Sequence, residues 1–307
     1  MMKFIRRCAP LVCVFVCMLC ASAALMNCAG MATSAEEYYS LGMAYFDLGR
    51  YEEAEKWLNH ARQADKTKVA SEYNLGRIAF ETQRYNDAAK LFEDILKKDP
   101  ENVLALKAAA YTRIKTGDID LAEKHYNKLL ALVPESADDG YNYALVLYAM
   151  ERYSDAERVL ANYPFDLLEN SESMLLYARA QNAQGKVEAI DSYAKWLADN
   201  SDSKVRYEYA QLLEQHELYA RALEEYRTAL TEPYREDAPQ RSDIRFALAR
   251  LLLIADSENP EGITELETSV YEGFADYGAI EELLNNSMVS AANRDRLRVI
   301  LSDMQRN

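Results

Sequence analysis

Beyond position 28 this chain of 307 residues contains no cysteine; all five, Cys8, Cys13, Cys17, Cys20 and Cys28, crowd its start. That excludes a disulfide framework and a thiolate metal centre from everything downstream. Histidine is nearly as scarce. His60, His125 and His216 stand far apart, none with a second histidine or a cysteine at ligand spacing. Glycine and proline number 10 and 7, which fits an almost wholly helical chain. No glycine-rich phosphate loop, Gly-x-Ser-x-Gly elbow or His-Glu-x-x-His pair is present. Carboxylates are plentiful, but they follow helix faces, as in Glu52-Glu53 and Glu224-Glu225. The sequence therefore points away from an enzyme, and no metal or cofactor is expected. Positive charge is short as well: 35 Lys and Arg face 50 Asp and Glu, for a net charge of −15. Residues 1–27 carry Lys3, Arg6 and Arg7 and no acid, which leaves −18 for the rest. Nucleic acid is excluded as a partner, because binding it depends on neutralising phosphates with Lys and Arg. Broad contact with anionic lipid is disfavoured for the same reason.

What the chain has instead is a repeat. Gly42, Gly76, Ala110, Ala144 and Ala178 recur every 34 residues, and Ala210 follows after 32. Ala54, Ala88, Ala122, Ala156 and Ala222 each stand 12 residues after a member of that column. Small residues at fixed spacing let two helix backbones cross closely. Tyr38, Leu41, Tyr45 and Leu48 lie on one helical face. Gly49 and Gly117 sit where a first helix must stop and turn. Pro100, Pro134 and Pro233 end second helices, since proline lacks a donor and clashes with the preceding turn. Ser34 precedes Glu37 by three residues, a capping box for the first helix.

These columns, with Tyr51, Tyr85, Tyr153 and Tyr219 opening second helices, resemble the tetratricopeptide repeat family, whose units are 34-residue helix–turn–helix hairpins. The resemblance implies an all-α, right-handed superhelical solenoid. Six units span 35–236, the fifth shortened by about one residue between its helices. A degenerate seventh, begun by Phe246-Ala247, covers 237–273. Two amphipathic stretches in 274–307 read as a cap for the last apolar face. The chain departs from the family where a large aromatic is usual early in the first helix. Tyr38 keeps it; Glu72, Leu106, Gly140, Met174 and Arg206 do not.

Residues 8–25 carry no charge and follow a basic start, the pattern of a secretory signal over 1–27. An uncleaved spanning anchor is the alternative. Leu25-Met26-Asn27-Cys28 resembles a bacterial lipobox, with Asn27 where Gly, Ala or Ser is usual. It implies lipidation of Cys28, a short linker over 28–34, and an envelope protein anchored in the inner or outer membrane and facing the periplasm.

The family resemblance also implies a concave groove lined by first helices, with the fifth, ninth and twelfth residues of each unit facing a ligand. Counted from Ala35, these include Tyr39, Phe46, Tyr73, Arg77, Phe80, Lys107, Tyr111, Ile114, Tyr141, Tyr148, Arg179 and Tyr207. An aromatic stripe with interspersed cations suits a peptide or helix of a partner protein. Another reading packs these tyrosines between neighbouring first helices. The function expected is a membrane-anchored, non-enzymatic adaptor. The alternative is a small-molecule-binding accessory lipoprotein of a transport system, its pocket opened by Gly140, Gly185 and the short helix before Pro164.

Overall fold

The computed structural model describes residues 34–163, 171–233, 236–256 and 258–306, and it is helical throughout. The signal and lipidation sites expected within 1–28 lie outside the described residues. Two compact units meet in sequence between Val133 and Pro134.

The first unit holds three hairpins: α1 (Ala35–Asp47) with α2 (Tyr51–Ala61), α3 (Asp65–Glu81) with α4 (Tyr85–Lys98), and α5 (Val103–Thr116) with α6 (Ile119–Leu132). Helix α1 starts at the expected capping box. Glu37 N–H donates to Ser34 Oγ at 3.2 Å, and Ser34 N–H donates to a Glu37 carboxylate oxygen at 2.7 Å. The small columns mark where the helices of a hairpin cross. A Cβ on Gly42 would lie 2.7 Å from Leu58 Cγ, and one on Gly76 would lie 2.6 Å from Phe92 Cε1. Ala54, Ala88 and Ala122 are fully buried on the partner helices. Glu72, in the place of the usual aromatic, is held by Lys98 at 3.1 Å, whereas Tyr38 stacks on Trp57 with centroids 5.7 Å apart.

The second unit continues with α7 (Ala137–Ala149), α8 (Tyr153–Ala161), α9 (Ser171–Ala183), α10 (Ala189–Asp199), α11 (Ser203–Gln215), α12 (Tyr219–Thr231), α13 (Arg241–Ala255) and α14 (Pro260–Tyr271). Its core is rich in tyrosine. Tyr193, Tyr209 and Tyr226 are at most 2% exposed, and burial pushes the hydroxyls of Tyr193 and Tyr226 far above the ordinary range.

Gly140 opens no pocket. The Tyr163 ring fills its place so closely that a Cβ there would lie 2.1 Å from Cε2, and Tyr163 Oη donates to the Pro134 carbonyl at 3.0 Å. An aromatic from the end of the second helix replaces the one missing from the first. Pro164 falls just beyond the described residues.

Arg206 takes the same place in its unit and lies between Glu225 at 2.8 Å and Glu232 at 2.6 Å. Arg245 repeats the arrangement with Glu265 at 2.7 Å and Glu272 at 2.8 Å. The sequence separations are 19 and 26 in the first fork and 20 and 27 in the second. This match sets the register of the seventh hairpin: fully buried Ala249 occupies the small column, with Gly262 opposite. Ala249, and not the Phe246-Ala247 pair expected from the sequence, holds this place, because the Asp256–Pro260 segment is longer than its counterparts.

The chain ends in α15 (Tyr277–Asn285) and α16 (Ala291–Met304). Ile280, Leu283, Leu297, Ile300 and Met304 join Phe246, Leu253 and Leu266 in one apolar cluster. Phe246 stacks on Phe274 at 4.1 Å, and Tyr277 Oη donates to the Met304 carbonyl at 2.8 Å.

The first helices of the first six hairpins end in one recurring turn. Gly49, Gln83, Gly117, Glu151, Gly185 and Glu217 have φ of 70°, 61°, 78°, 59°, 70° and 59°. At every one the N–H bonds the carbonyl three residues back, and the next N–H bonds the carbonyl five back. This is the Schellman pattern, which satisfies carbonyls left open at a helix end.

Candidate functional site

The fifth, ninth and twelfth positions of a unit fall at i, i+4 and i+7, one stripe of each first helix. In the first unit, Tyr39, Met43 and Phe46 lie on α1, Tyr73, Arg77 and Phe80 on α3, and Lys107, Tyr111 and Ile114 on α5. None is buried; Lys107 and Tyr111 are exposed and the others are half-buried. This stripe differs in kind from the neighbouring Leu75, Ile78, Ala109 and Ala110, which are at most 5% exposed.

Contacts tie the stripe together across helices. Asn74 Nδ2 donates to Tyr39 Oη at 3.0 Å, and Arg77 donates to Asn74 Oδ1 at 3.0 Å. The Arg77 guanidinium lies 4.4 Å from the Phe46 ring centroid. Phe80 meets Tyr111 at 5.3 Å, and Lys115 Nζ lies 5.6 Å above the Tyr111 ring. Tyr73 leans on buried Phe92 at 5.7 Å. The aromatics thus brace neighbouring helices and still present surface. Asn74 lay outside the positions chosen from sequence. Its signal is that it precedes the small-column Gly76 by two residues, beside Tyr39 on the preceding first helix.

In the second unit, Tyr141, Tyr148, Arg179 and Tyr207 are half-buried, and burial pushes the three tyrosine hydroxyls up. Tyr148 meets Tyr153 at 5.0 Å, and Tyr207 meets Tyr226 at 5.7 Å. Arg179 donates twice to Glu208, at 2.9 and 3.0 Å. Burial works against its charge, but the bond and charge of Glu208 outweigh that and raise its pKa. Arg250, which follows Ala249 as Arg179 follows Ala178, pairs with Glu214 at 2.7 Å. These arginines latch neighbouring first helices. Arg77 has no carboxylate within ion-pair distance among the described residues, and its planar cation is left to Phe46 and Asn74.

A cavity of about 290 Å³ in the second unit is lined by Glu172, Leu175, Arg179, Trp196, Asp202 and Lys204, among others. Its charged groups are engaged within the fold: Arg179 by Glu208, Lys204 by Asp237 at 3.3 Å, and Asp202 as the cap of α11. His125 Nε2 donates to the Glu93 carboxylate at 2.9 Å, and Glu93 also takes Arg113 at 3.1 Å. Among the described residues no three His, Cys, Asp or Glu side chains gather as a metal site.

Tetratricopeptide-repeat family models match residues 31–101, 73–137 and 138–165. Residues 31–165 carry tetratricopeptide repeats. A tetratricopeptide repeat protein from Parabacteroides merdae ATCC 43184 is similar over 83% of this chain and 98% of its own, at 20% identity and a TM-score of 0.55. MamA from Desulfovibrio magneticus RS-1 is similar over 55% of this chain and 96% of its own, at 18% identity and a TM-score of 0.50. At such identities the likeness is one of fold. No curated protein matches the chain. Tetratricopeptide arrays are protein-interaction scaffolds, and the repeats here have that architecture, with first helices presenting the aromatic stripes.

Proposed function

We propose that this chain is a lipid-anchored adaptor of the bacterial cell envelope, holding a segment of a partner protein against its first helices near a membrane. One observation carries the binding part: the half-exposed Tyr39, Phe46, Arg77, Phe80 and Tyr111 of the first unit, with an arginine that lacks a carboxylate. Tyrosine and arginine combine broad apolar faces with hydrogen-bonding tips, and such groups dominate binding energy at interfaces. The anchor part rests on the signal pattern of residues 1–27 and on Cys28. No helix among the described residues is long and apolar enough to cross a membrane.

The test is a crosslinking capture from bacterial envelopes with wild type and with Arg77→Ala, Tyr111→Ala. Both side chains are partly exposed, so the helical signal should persist in the variant. A partner recovered by wild type and lost from the variant supports the adaptor. Equal recovery by both refutes binding at this stripe.

A further inference from the structure

A stack of hairpins needs a polar outer face at each end to stay free of unwanted contacts. The C-terminal helix α16 exposes mainly charged side chains, Asp295, Arg296 and Arg298, with Val299 beside them. The N-terminal helix α1 exposes Glu36, Glu37, Ser40 and Asp47, but large apolar side chains stand exposed among them. Leu41 is 37% exposed, whereas its counterpart Leu75 on α3 is 5% exposed and packs with Ala54 and Leu58 of α2. No described helix precedes α1 to cover Leu41 in that way. Leu48 is 71% exposed and stands where α3 and α5 continue into Thr82 and Thr116. Tyr45 lies between the two leucines on the same face and is half-buried.

Position in the chain says what meets this face. Cys28 precedes Ala35 by seven residues, a span of at most about 25 Å in any conformation. A chain held by acyl groups on Cys28 therefore keeps the start of α1 within about 25 Å of its anchor point. We propose that the Leu41–Tyr45–Leu48 face of α1 rests in the membrane interface, so that the first hairpin is a second contact with lipid beside the anchor. This rests on the acylated-anchor reading of Cys28.

The chemistry suits the headgroup–acyl boundary. Tyr38 and Trp57, stacked in the first hairpin, are the residue types enriched there. Of the carboxylates around the face, Glu37 is engaged by the Ser34 N–H of the capping box at 2.7 Å, Glu36 pairs with Lys66 at 2.7 Å, and Glu53 pairs with Arg50, whose guanidinium lies 4.8 Å from the Tyr45 ring centroid. A chain this acidic gains no electrostatic pull from a membrane, so the contact is apolar and should ignore salt.

The test uses the full chain expressed in a bacterium with its own N-terminal residues. Its mass reports acylation of Cys28. The protein is then reconstituted in vesicles of phosphatidylethanolamine and phosphatidylcholine, with lipids brominated near the headgroup end of the acyl chains. Trp57 emission is read against a Trp57→Phe control, which leaves only Trp196, 6% exposed. Bromine should quench Trp57 at low and high salt. Leu41→Ser, Leu48→Ser should lose most of that quenching while staying acylated, vesicle-bound and helical. An acylated chain with no quenching, or with quenching that the serines do not change, overturns the contact and leaves the anchor standing. An unacylated chain overturns the anchor and this contact with it.

Discussion

Replacing Gln83, Glu151 and Glu217 by glycine should make this protein more stable. All three close first helices in the left-handed region, at φ of 61°, 59° and 59°, where the equivalent turns use Gly49, Gly117 and Gly185. A Cβ forces L-residues to spend about 1–2 kcal/mol in that region. Glycine removes that cost but has more chain entropy to lose on folding, about 0.5–1 kcal/mol. The net gain is about 0.5–1 kcal/mol per site. Little else is lost with the side chains: each residue is exposed, and a Cβ at Gly49, Gly117 or Gly185 would meet nothing within 4 Å. The sites lie in separate turns and share no partners, so the triple variant should gain about 1.5–3 kcal/mol. Urea unfolding of the single and triple variants, followed by helical circular dichroism, measures this. Gly117→Ala, placing a Cβ at φ of 78°, is the opposite control and should lose about 1 kcal/mol. Unchanged or lowered midpoints in the glycine variants would refute the reasoning, as would an innocuous Gly117→Ala.

Three further outcomes follow from packing and charge. Gly140→Ala should cost about 1–3 kcal/mol, because its methyl collides with the Tyr163 ring; thermal melting checks this, and adding Tyr163→Ala should recover part of the loss. Arg206→Met leaves Glu232, whose side chain is 7% exposed, without its cation; it should cost about 1–3 kcal/mol, against almost nothing for Arg298→Ala at the surface. Burial pushes the Glu93 carboxyl up, but His125 and Arg113 pull it further down, so its pKa lies below the ordinary carboxylate value. Its stabilisation is therefore complete above the ordinary carboxylate pKa and is lost as pH falls through the lowered one. Acid titrations of unfolding should show Glu93→Gln flattening that limb relative to wild type.

Much of this structure can be read from periodicity, because one hairpin's constraints are restated every 34 residues. The crossing columns, the capping box at Ser34 and the glycine turns all follow from backbone limits that few residues satisfy. What stayed hidden is compensation between distant positions. Nothing local marks Gln83 or Glu151 as left-handed; only their phase with Gly49 and Gly117 does. Gly140 looks like a gap until Tyr163, 23 residues on, is seen to fill it. The Arg206 and Arg245 forks are visible only after the seventh hairpin's register is known, and the longer loop at Pro260 displaces that register. For the stripe, the family resemblance singled out Tyr39, Phe46, Arg77 and Tyr111 by their places in the unit. It could not show that Arg179 is spent on Glu208 while Arg77 is not, since that depends on which carboxylate the next hairpin brings alongside.

The central claim is that a partner protein sits on the first-helix stripe of the first unit, and photocrosslinking tests it most directly. A benzophenone amino acid is placed at Tyr111 on the stripe and, separately, at Lys128, exposed on the second helix α6. Irradiated envelopes should yield a discrete protein adduct from Tyr111, absent when Arg77→Ala is added, and none from Lys128. The same adduct from both positions, or none from Tyr111, would contradict the account.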